Sequence, residues 1–343
     1  MLLIKSGSKD AYFNIALEEY LINNFDEEFF IIAVNEPSIL IGTNQNTYDE
    51  INALYVKQNN LKVVRRLSGG GTVFQDYGNI NFSHIYFDDG SKLNDFSKVC
   101  EIILNFVNQK LGLEASFAGR NDMIVKDKKF SGHARLKINK KILHHGTLLI
   151  SSNMKSLTDA LKFNVEKYND RALRSNHERI TNLSEHIDPA PSVENVFEMF
   201  WDYLRSFFPE SKVYQISAEN IEGVNKLVSE KYSTWDWNFG CEINLPLYNI
   251  GSAKYGNYEI YLQAEDDKIK QIRIFGDFFS KQNISDIENA LIDCEINSKA
   301  VTKALLNIDF NNYMSGISLE DFVAVFDESL DLKNRQLQNN EAK

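Results

Sequence analysis

The sequence predicts an α+β fold, with a large mixed-sheet domain followed by a small α+β domain. Three observations carry this. Through the first half, short apolar runs of strand length alternate with helical patterns. Several of those runs lie close enough in sequence to pair as hairpins, which favours a mixed sheet over a doubly wound parallel one. Between Phe239 and Gly251, Gly, Pro and Asn collect before a second set of strand and helix patterns begins. A chain of 343 residues suits a large domain with an appendage, since single cores seldom grow beyond roughly 250 residues. The reading places the large domain at 1–245 and the small one at 252–343.

The elements follow in order. Met1 to Ile4, Phe29 to Val34, Ile39 to Gly42 and Leu61 to Arg65 read as strands, and Ala11 to Asn23 as a helix carrying Phe13, Ala16, Leu17, Tyr20 and Leu21 at helical spacing. Further strands are expected at Gly71 to Gln75, Ile80 to Phe87, Asp122 to Lys126 and Leu143 to Ser151. A helix between Lys92 and Gly112 should end on that glycine. Pro189 and Pro191 mark a break before a helix beginning near Ser192. In the second domain, Tyr258 to Gln263 and Lys268 to Phe275 predict a β-pair. Helical patterns follow around Ser285 to Ile292, Lys299 to Leu306 and Leu319 to Phe326. The polar tail after Leu332 is expected to fray.

Composition narrows the function classes. With 37 basic against 48 acidic residues, no bulk attraction to nucleic acid or to an anionic membrane is expected, so a bound anion must meet a local positive site. Cys100, Cys241 and Cys294 are far apart and show no CxxC or His/Cys ligand spacing, which fits reduced thiols in a cytoplasm. No apolar run reaches the ~20 residues needed to cross a bilayer. A soluble, cytoplasmic protein is the expectation.

Three segments carry chemistry. Arg65-Arg-Leu-Ser-Gly-Gly-Gly-Thr-Val-Phe-Gln75 leaves one strand and enters another through three glycines, which would let backbone N–H groups approach an anion while the arginines supply charge. A hairpin turn with a surface arginine pair is the bland reading. No helix follows the glycines, so this is neither a P-loop nor a dinucleotide fingerprint. Gly119-Arg-Asn-Asp122 and Lys128-Lys-Phe-Ser-Gly-His133 offer a lysine able to neutralise a carboxylate and a phosphate together, and an Asp122 carboxylate suited to Mg²⁺. A solvated turn is the alternative for these lysines. In His144-His-Gly-Thr147, successive strand residues face opposite ways, so His144 and His145 cannot share one metal without distortion. The glycine would admit a ligand to the backbone, and a single core histidine is the competing reading.

Together and in this order, these segments resemble the lipoate–protein ligase A family, within the superfamily that includes biotin ligases and octanoyl transferases. The matching stretches are Tyr12 to Glu19, Arg65 to Phe74, Gly78 to Phe82, Gly119 to Asp122, Lys129 to Gly132, His144 to Leu148 and Thr181 to Leu183. Trp235 to Gly240 and Ile274 to Phe279 resemble the longer, two-domain members. The resemblance implies a catalytic domain of the biotin/lipoate ligase type and a two-step reaction. Lipoate and ATP, with Mg²⁺, give lipoyl-AMP; its acyl group then passes to a lysine of a glycine-cleavage H protein or of a 2-oxoacid dehydrogenase lipoyl domain. It further implies that Lys129 is the catalytic residue. Arg66, Gly71, Thr72, Val73, Phe74, Asn121, Asp122, Lys129, His145, Thr147 and Arg179 would hold ATP and the adenylate, and Asp122 the metal. Glu18, Arg66, Ser68, Gly69, Gly70, Lys129, Ser131 and Gly132 would hold lipoate. A monomer is expected.

Three departures from the family stand out. Gln75 occupies a frequent His position, and His133 a position of a small residue or Asn. Ser175-Asn-His-Glu-Arg-Ile180 replaces a loop usually richer in arginine, with His177 in place of one. The segment Asn164 to Arg179 is expected to be a lid over the adenylate. Two rivals remain at this stage. One is an octanoyl or lipoyl transferase, which would need a nucleophilic cysteine beside a motif. The other is a non-catalytic relative that binds lipoate or an H protein without turnover.

Overall fold

A computed structural model describes residues 1–90, 95–118, 121–162, 180–240, 245–253 and 256–327. The chain divides into two compact units. The first is Met1–Thr43, Thr47–Ser68 and Thr72–Gly240; the second is Cys241–Lys343 together with Asn44–Asn46 and Gly69–Gly71.

The first unit is built on eleven described strands: β1 (Leu2–Lys5), β2 (Phe29–Ala33), β3 (Ser38–Ile41), β4 (Lys62–Arg65), β5 (Val73–Gln75), β6 (Asn79–Phe87), β7 (Ala115–Ala118), β8 (Asp122–Val125), β9 (Lys128–Ile138), β10 (Lys141–Leu149) and β11 (Lys212–Val213). Eight form one sheet in the order β11-β1-β2-β6-β10-β9-β8-β7, and three form a second in the order β4-β3-β5. β1 runs parallel to β2 and β11, whereas β2, β6, β10, β9, β8 and β7 pair antiparallel in succession. The architecture is α+β with mixed pairing, as the clustered hairpins predict.

Both faces of the large sheet are covered. The Ala11–Asn24 helix, capped by the Asp10 carboxylate on the Tyr12 N–H at 2.8 Å, packs Ile15, Leu17 and Leu21 with Phe29, Ile31, Ile85 and Leu143. On the other face, Phe30 and Phe82 meet Phe200 of the Val193–Phe207 helix edge-on, with ring centroids 6.1 and 6.4 Å apart. Phe200 in turn lies 4.6 Å from Phe106 of the Ser97–Lys110 helix. Truncating so central a ring costs about 3–5 kcal/mol. The Ser97–Lys110 helix is followed by Gly112 at φ +68°, the left-handed end the sequence predicts.

The second unit holds an antiparallel sheet of β12 (Leu247–Ala253), β13 (Gly256–Glu265) and β14 (Lys268–Gly276). The Ser285–Ala290 and Ser298–Leu305 helices and helical residues 319–327 close a core around Tyr258, Ile260, Ile272, Phe310 and Phe322. The β13–β14 turn places Asp266 and Asp267 at φ +50° and +57°, the pair of left-handed residues that a tight two-residue hairpin requires.

Four described strands escape the sequence pattern: the short β7 and β11, and the longer β9 and β12. β12 lies among the Gly and Asn residues that read as a junction. β9 spans eleven residues, but its buried positions include Ser131, His133 and Arg135, so no hydrophobic alternation marks it.

Candidate active site

The register of β6, β10 and β9 sets the site. Ser83 of β6 lies opposite His145 of β10, which lies opposite Ala134 of β9, and all three therefore share one face. From the Ala11–Asn24 helix, Glu18 reaches that face. Its carboxylate oxygens both lie 3.0 Å from His145 Nδ1, and Oε1 accepts from the Ser83 hydroxyl at 2.5 Å. On the far side of the ring, His145 Nε2 lies 2.6 Å from Ser68 Oγ, which accepts from Arg66 Nε at 3.0 Å. A carboxylate only accepts and a guanidinium only donates, which fixes both ends of this chain. Nδ1–H donates to Glu18, Arg66 donates to Ser68, and the Ser68 hydroxyl and Nε2 share the bond between them.

All of these groups are buried, Ser68 completely and Glu18 at 4% exposure. Burial lowers the Arg66 guanidinium to about 10, partly offset by the Glu18 carboxylate and reinforced by its neighbour Arg65. Arg66 nonetheless stays charged at neutral pH, held in one orientation by Ser68 and by the Leu40 carbonyl at 3.3 Å. The result is a fixed cation whose support runs through Ser68 and His145 to Glu18. Ser83 is the link that sequence reasoning missed, because only the strand register places it there.

Lys129 enters from β9. The β8–β9 turn is made by Lys126 and Asp127, at φ +46° and +62°, so Lys129 stands on the strand and not in a solvated turn. Its ammonium pairs with Asp122 at 2.7 Å, and both side chains are about one-third exposed, at 37% and 35%. It folds over Gly132, where an added Cβ would sit 3.2 Å from both Cε and Nζ. Gly132 in turn lies against Gly146, where a Cβ would meet the Gly132 carbonyl at 2.8 Å and Phe82 at 2.6 Å. Gly132 thus leaves room for the lysine on one face, and Gly146 for Phe82 and His133 on the other. The Thr181 N–H binds the Lys129 carbonyl at 2.9 Å, and the Asn182 side chain bonds both ways with Ser152. The Thr181-Asn-Leu183 motif thus fastens the chain next to Lys129.

The remaining expected residues divide. Ser131 is buried and bonds His133 at 3.1 Å. Asn121 brackets the His133 backbone, its side-chain Nδ2 donating to the His133 carbonyl while its backbone carbonyl accepts from His133 N at 3.0 Å. Thr147 is half-buried opposite Asn81. Val73 packs toward the helix-side core and Phe74 into the cluster of Ile39, Ile41 and Val63, so their side chains are core. β5 pairs only with β3 in its sheet, leaving the other edge of its backbone outside that ladder. Thr72 is half-buried. Gly69 and Gly71 sit on either side of Gly70, which has φ +92°; at Gly69 a Cβ would strike the Phe278 carbonyl at 2.2 Å, whereas at Gly71 nothing lies within 4 Å. Arg179, His177 and the expected lid lie outside the described residues.

Arg65 corrects the expectation of a paired cation. Its guanidinium is engaged by the carbonyls of Gly42 (2.9 Å), Thr43 (3.1 Å) and Trp237 (3.0 Å) and by Thr47 Oγ1 (2.7 Å), while Trp237 Nε1 returns a bond to the Arg65 carbonyl at 2.8 Å. It ties the aromatic run to β4. Gln75, the other departure in this region, ends a buried chain of side chains, Ser6 to Asn14 to Asn35 to Gln75, with successive contacts of 2.6, 2.7 and 2.7 Å. A cavity of about 320 Å³ opens beside Phe74, Asp76 and Tyr77. Lys129, Asp122 and His145 are not among its walls, so it is separate from this constellation.

The opposite face of the same strands is different. His144 points away from His145, as strand alternation requires, and lies 2.9 Å from His133 Nδ1, which is 3.8 Å from Cys100 Sγ. Sequence spacing showed no His/Cys grouping, and the fold creates one by laying the Ser97–Lys110 helix against β9 and β10. Burial pushes the Cys100 thiol up to about 12 and holds His133 down at about 3, with Lys129 and His145 adding repulsion; His144 is lowered well below the ordinary range for the same reason.

Comparison with known proteins identifies the family. Residues 10–205 match the lipoyl protein ligase A/B catalytic domain, and residues 247–326 the bacterial lipoate protein ligase C-terminus. The chain is 36% identical to lipoate-protein ligase LplJ of Bacillus subtilis over 92% of its length and 96% of that protein. Among solved structures, P. falciparum LipL1 in complex with lipoate superposes with a TM-score of 0.75 at 26% identity, covering 90% of this chain and 94% of that one. A bipartite lipoate protein ligase from Thermoplasma acidophilum, studied with its E2 lipoyl domain, gives a TM-score of 0.61 at 25% identity over 70% of this chain and 96% of that one. These matches, over nearly the whole chain, show that it belongs to the lipoate–protein ligase family.

Proposed function

We propose that this protein is an ATP-dependent lipoate–protein ligase. In the first half-reaction a lipoate carboxylate oxygen attacks the α-phosphorus of ATP, pyrophosphate leaves, and lipoyl-AMP forms. In the second, the ε-amine of an acceptor lysine attacks the acyl carbonyl, the carbonyl–oxygen bond to AMP breaks, and a proton is lost as the amide forms. The observation that carries this reading is Lys129: a partly exposed ammonium over a glycine, paired to Asp122 at 2.7 Å. Such a group can exchange its carboxylate partner for the substrate carboxylate and phosphate, whose mutual repulsion it offsets.

Arg66 supplies the second cation, and Glu18, Ser68 and His145 position it. Gly132 lines the approach to Lys129, and Gly69 and Gly70 are assigned to the lipoate side; Ser131, expected there too, turns its hydroxyl to His133 on the opposite face. The backbone from Gly71 to Phe74, with Asn121, Thr147 and Arg179, is assigned to the nucleotide. Asp122 suits Mg²⁺, an oxygen-seeking ion that takes one or two carboxylates and completes its shell with phosphate oxygens and water; it would supply charge neutralisation at the phosphates. The catalytic work is assigned to residues 1–245 and an accessory role to 252–343.

The acceptor is a glycine-cleavage H protein or a 2-oxoacid dehydrogenase lipoyl domain, and the enzyme acts as a cytoplasmic monomer. Among the described residues, no helix is long and apolar enough to cross a membrane. The buried Cys100, kept protonated by its surroundings, supports a ligase over a cysteine-dependent transferase. The purified chain incubated with lipoate, Mg²⁺ and ATP should release pyrophosphate, retain lipoyl-AMP and lipoylate an added acceptor. Acyl transfer from a lipoylated donor protein without ATP would overturn the reading, as would lipoate binding with no turnover.

A further inference from the structure

Three soft or borderline donor atoms converge behind the site: Cys100 Sγ from the Ser97–Lys110 helix, His133 Nδ1 from β9 and His144 Nε2 from β10. All lie within 4.8 Å of one another, and all three residues are at most 3% exposed. The Cys100–His133 separation of 3.8 Å is close to the ~3.8 Å spanned by a thiolate at ~2.3 Å and an imidazole at ~2.05 Å from one ion in trigonal geometry. The two imidazole nitrogens, at 2.9 Å, would part by roughly two-thirds of an ångström to do the same. The outer contacts fit as well. His133 Nε2 lies 3.1 Å from Ser131 Oγ, an acceptor for the N–H that a metal-bound imidazole carries on its other nitrogen.

The metal-free rings share one hydrogen bond, and His144 Nδ1 lacks a partner whether Nε2 meets His133 or an ion, so it is the convergence of the three donor atoms that marks the site. The Cys100 thiol meanwhile competes with His144 for one nitrogen.

We propose that Cys100, His133 and His144 form a buried three-coordinate site for a thiophilic closed-shell cation, Cu(I) foremost. Softness decides the ligand class, since one thiolate and two imidazoles in a dry setting suit Cu(I). Coordination number decides within it. Zn(II) takes four ligands in a structural site, and among the described residues no fourth Cys, His, Asp or Glu joins this group. Binding replaces the thiol proton, which leaves to solvent, and forms one sulfur and two nitrogen bonds without any redox change. An ion there would tie the helix to β9 and β10, whose other residues include Lys129, Ser131 and His145. The site is independent of the ligase reading.

The test uses the full-length chain with Cys241→Ser and Cys294→Ser, leaving Cys100 as the only thiol. Under anaerobic conditions it is titrated with Cu(I) against a chromophoric Cu(I) chelator. One equivalent should bind, X-ray absorption at the copper edge should show one sulfur and two imidazole nitrogens, and thermal unfolding should shift upward with Cu(I). Adding Cys100→Ala or His144→Asn should weaken binding at least about a hundredfold. Should either variant fail to fold, the ligand count in the parent still decides. Three outcomes would overturn the proposal: no stoichiometric Cu(I) binding, affinity unchanged by loss of Cys100, or a preference for Zn(II) with a four-coordinate tetrahedral Co(II) spectrum.

Discussion

His144 and His145 are neighbours in sequence, yet they inhabit opposite chemical worlds. His145 faces a chain in which Glu18, Ser83, Ser68 and Arg66 each find a partner. His144 faces Cys100, His133 and the ring of Phe96, with one nitrogen unsatisfied, and nearby His84 has neither ring nitrogen bonded. Both faces are buried, so burial alone does not make an active site. What separates them is direction: a satisfied, oriented network can hold a cation in place for substrate, whereas an unsatisfied cluster of neutral rings can only pack or take up an ion.

The sharpest break of this comparison lies at its exposed end. Lys129→Ala removes the ammonium that faces both substrates, and lipoyl-AMP formation should fall at least a hundredfold to thousandfold, by the scale of losing one preorganised electrostatic group. Denaturant unfolding should hardly change, because the Lys129–Asp122 pair is partly solvated. Normal adenylate yield from the folded variant would remove Lys129 from the chemistry.

Next comes the support chain. Glu18→Gln leaves His145 and Arg66 without the buried carboxylate that orients one and stabilises the other, and breaking such a pairing costs about 3 kcal/mol. Adenylate formation should drop as Arg66 loses its fixed orientation. Stability and activity both at wild-type level would mean that the network is incidental. The counterpart on the back face is His84, packed between Phe30 at 5.2 Å and Tyr86 at 4.7 Å.

Burial, with repulsion from Lys98, lowers His84 to about 3, and His144 faces it across the strand pair. A lowered histidine binds its proton in the unfolded chain first, so its stabilising effect is complete above pH ~6.5 and is lost as pH falls toward 3. In metal-free protein, His84→Phe should therefore lessen the stability lost between pH 7.5 and pH 5 by about 2 kcal/mol. Equal acid sensitivity in wild type and variant would show that His84 is not held neutral by its site.

Much of this was legible in sequence, and the exceptions have physical causes. The helix at Ala11 and the strand at Phe29 announce themselves by periodicity, and the Gly112 and Ser192 boundaries by turn and cap chemistry. Lys129, Asp122 and Arg66 stood out as charges next to glycines. Two things were not legible. β9 was hidden because its inward positions are His, Ser and Arg, and the roles of Ser83 and Cys100 depend on which residues stand opposite, a matter of register and helix packing with no local signature. Arg65 looked equivalent to Arg66 for the same reason, and only three-dimensional contacts show its guanidinium spent on carbonyl groups.

The smallest expected effect is also the one that best separates packing from positioning. At Gly132 an alanine methyl would lie 3.2 Å from Lys129 Cε and Nζ and meets no other heavy atom within 4 Å, so the neighbour that must yield is the end of a flexible side chain. A shift of a few tenths of an ångström accommodates it, and Gly132→Ala should leave unfolding stability within about 0.5 kcal/mol of wild type, as for substitutions away from strained or packed positions. The displaced ammonium, however, is the group proposed to face the forming adenylate, and small misplacements of catalytic groups are costly. Lipoyl-AMP formation should fall by several-fold, up to about tenfold, with the loss in kcat exceeding any rise in KM for lipoate. Gly146→Ala provides the contrast. There the methyl meets the Gly132 carbonyl and the Phe82 ring, so stability should fall first. If Gly132→Ala instead lost stability with kcat preserved, the glycine would be serving the strand pair and not the lysine, and the placement of Lys129 over it would carry no catalytic meaning.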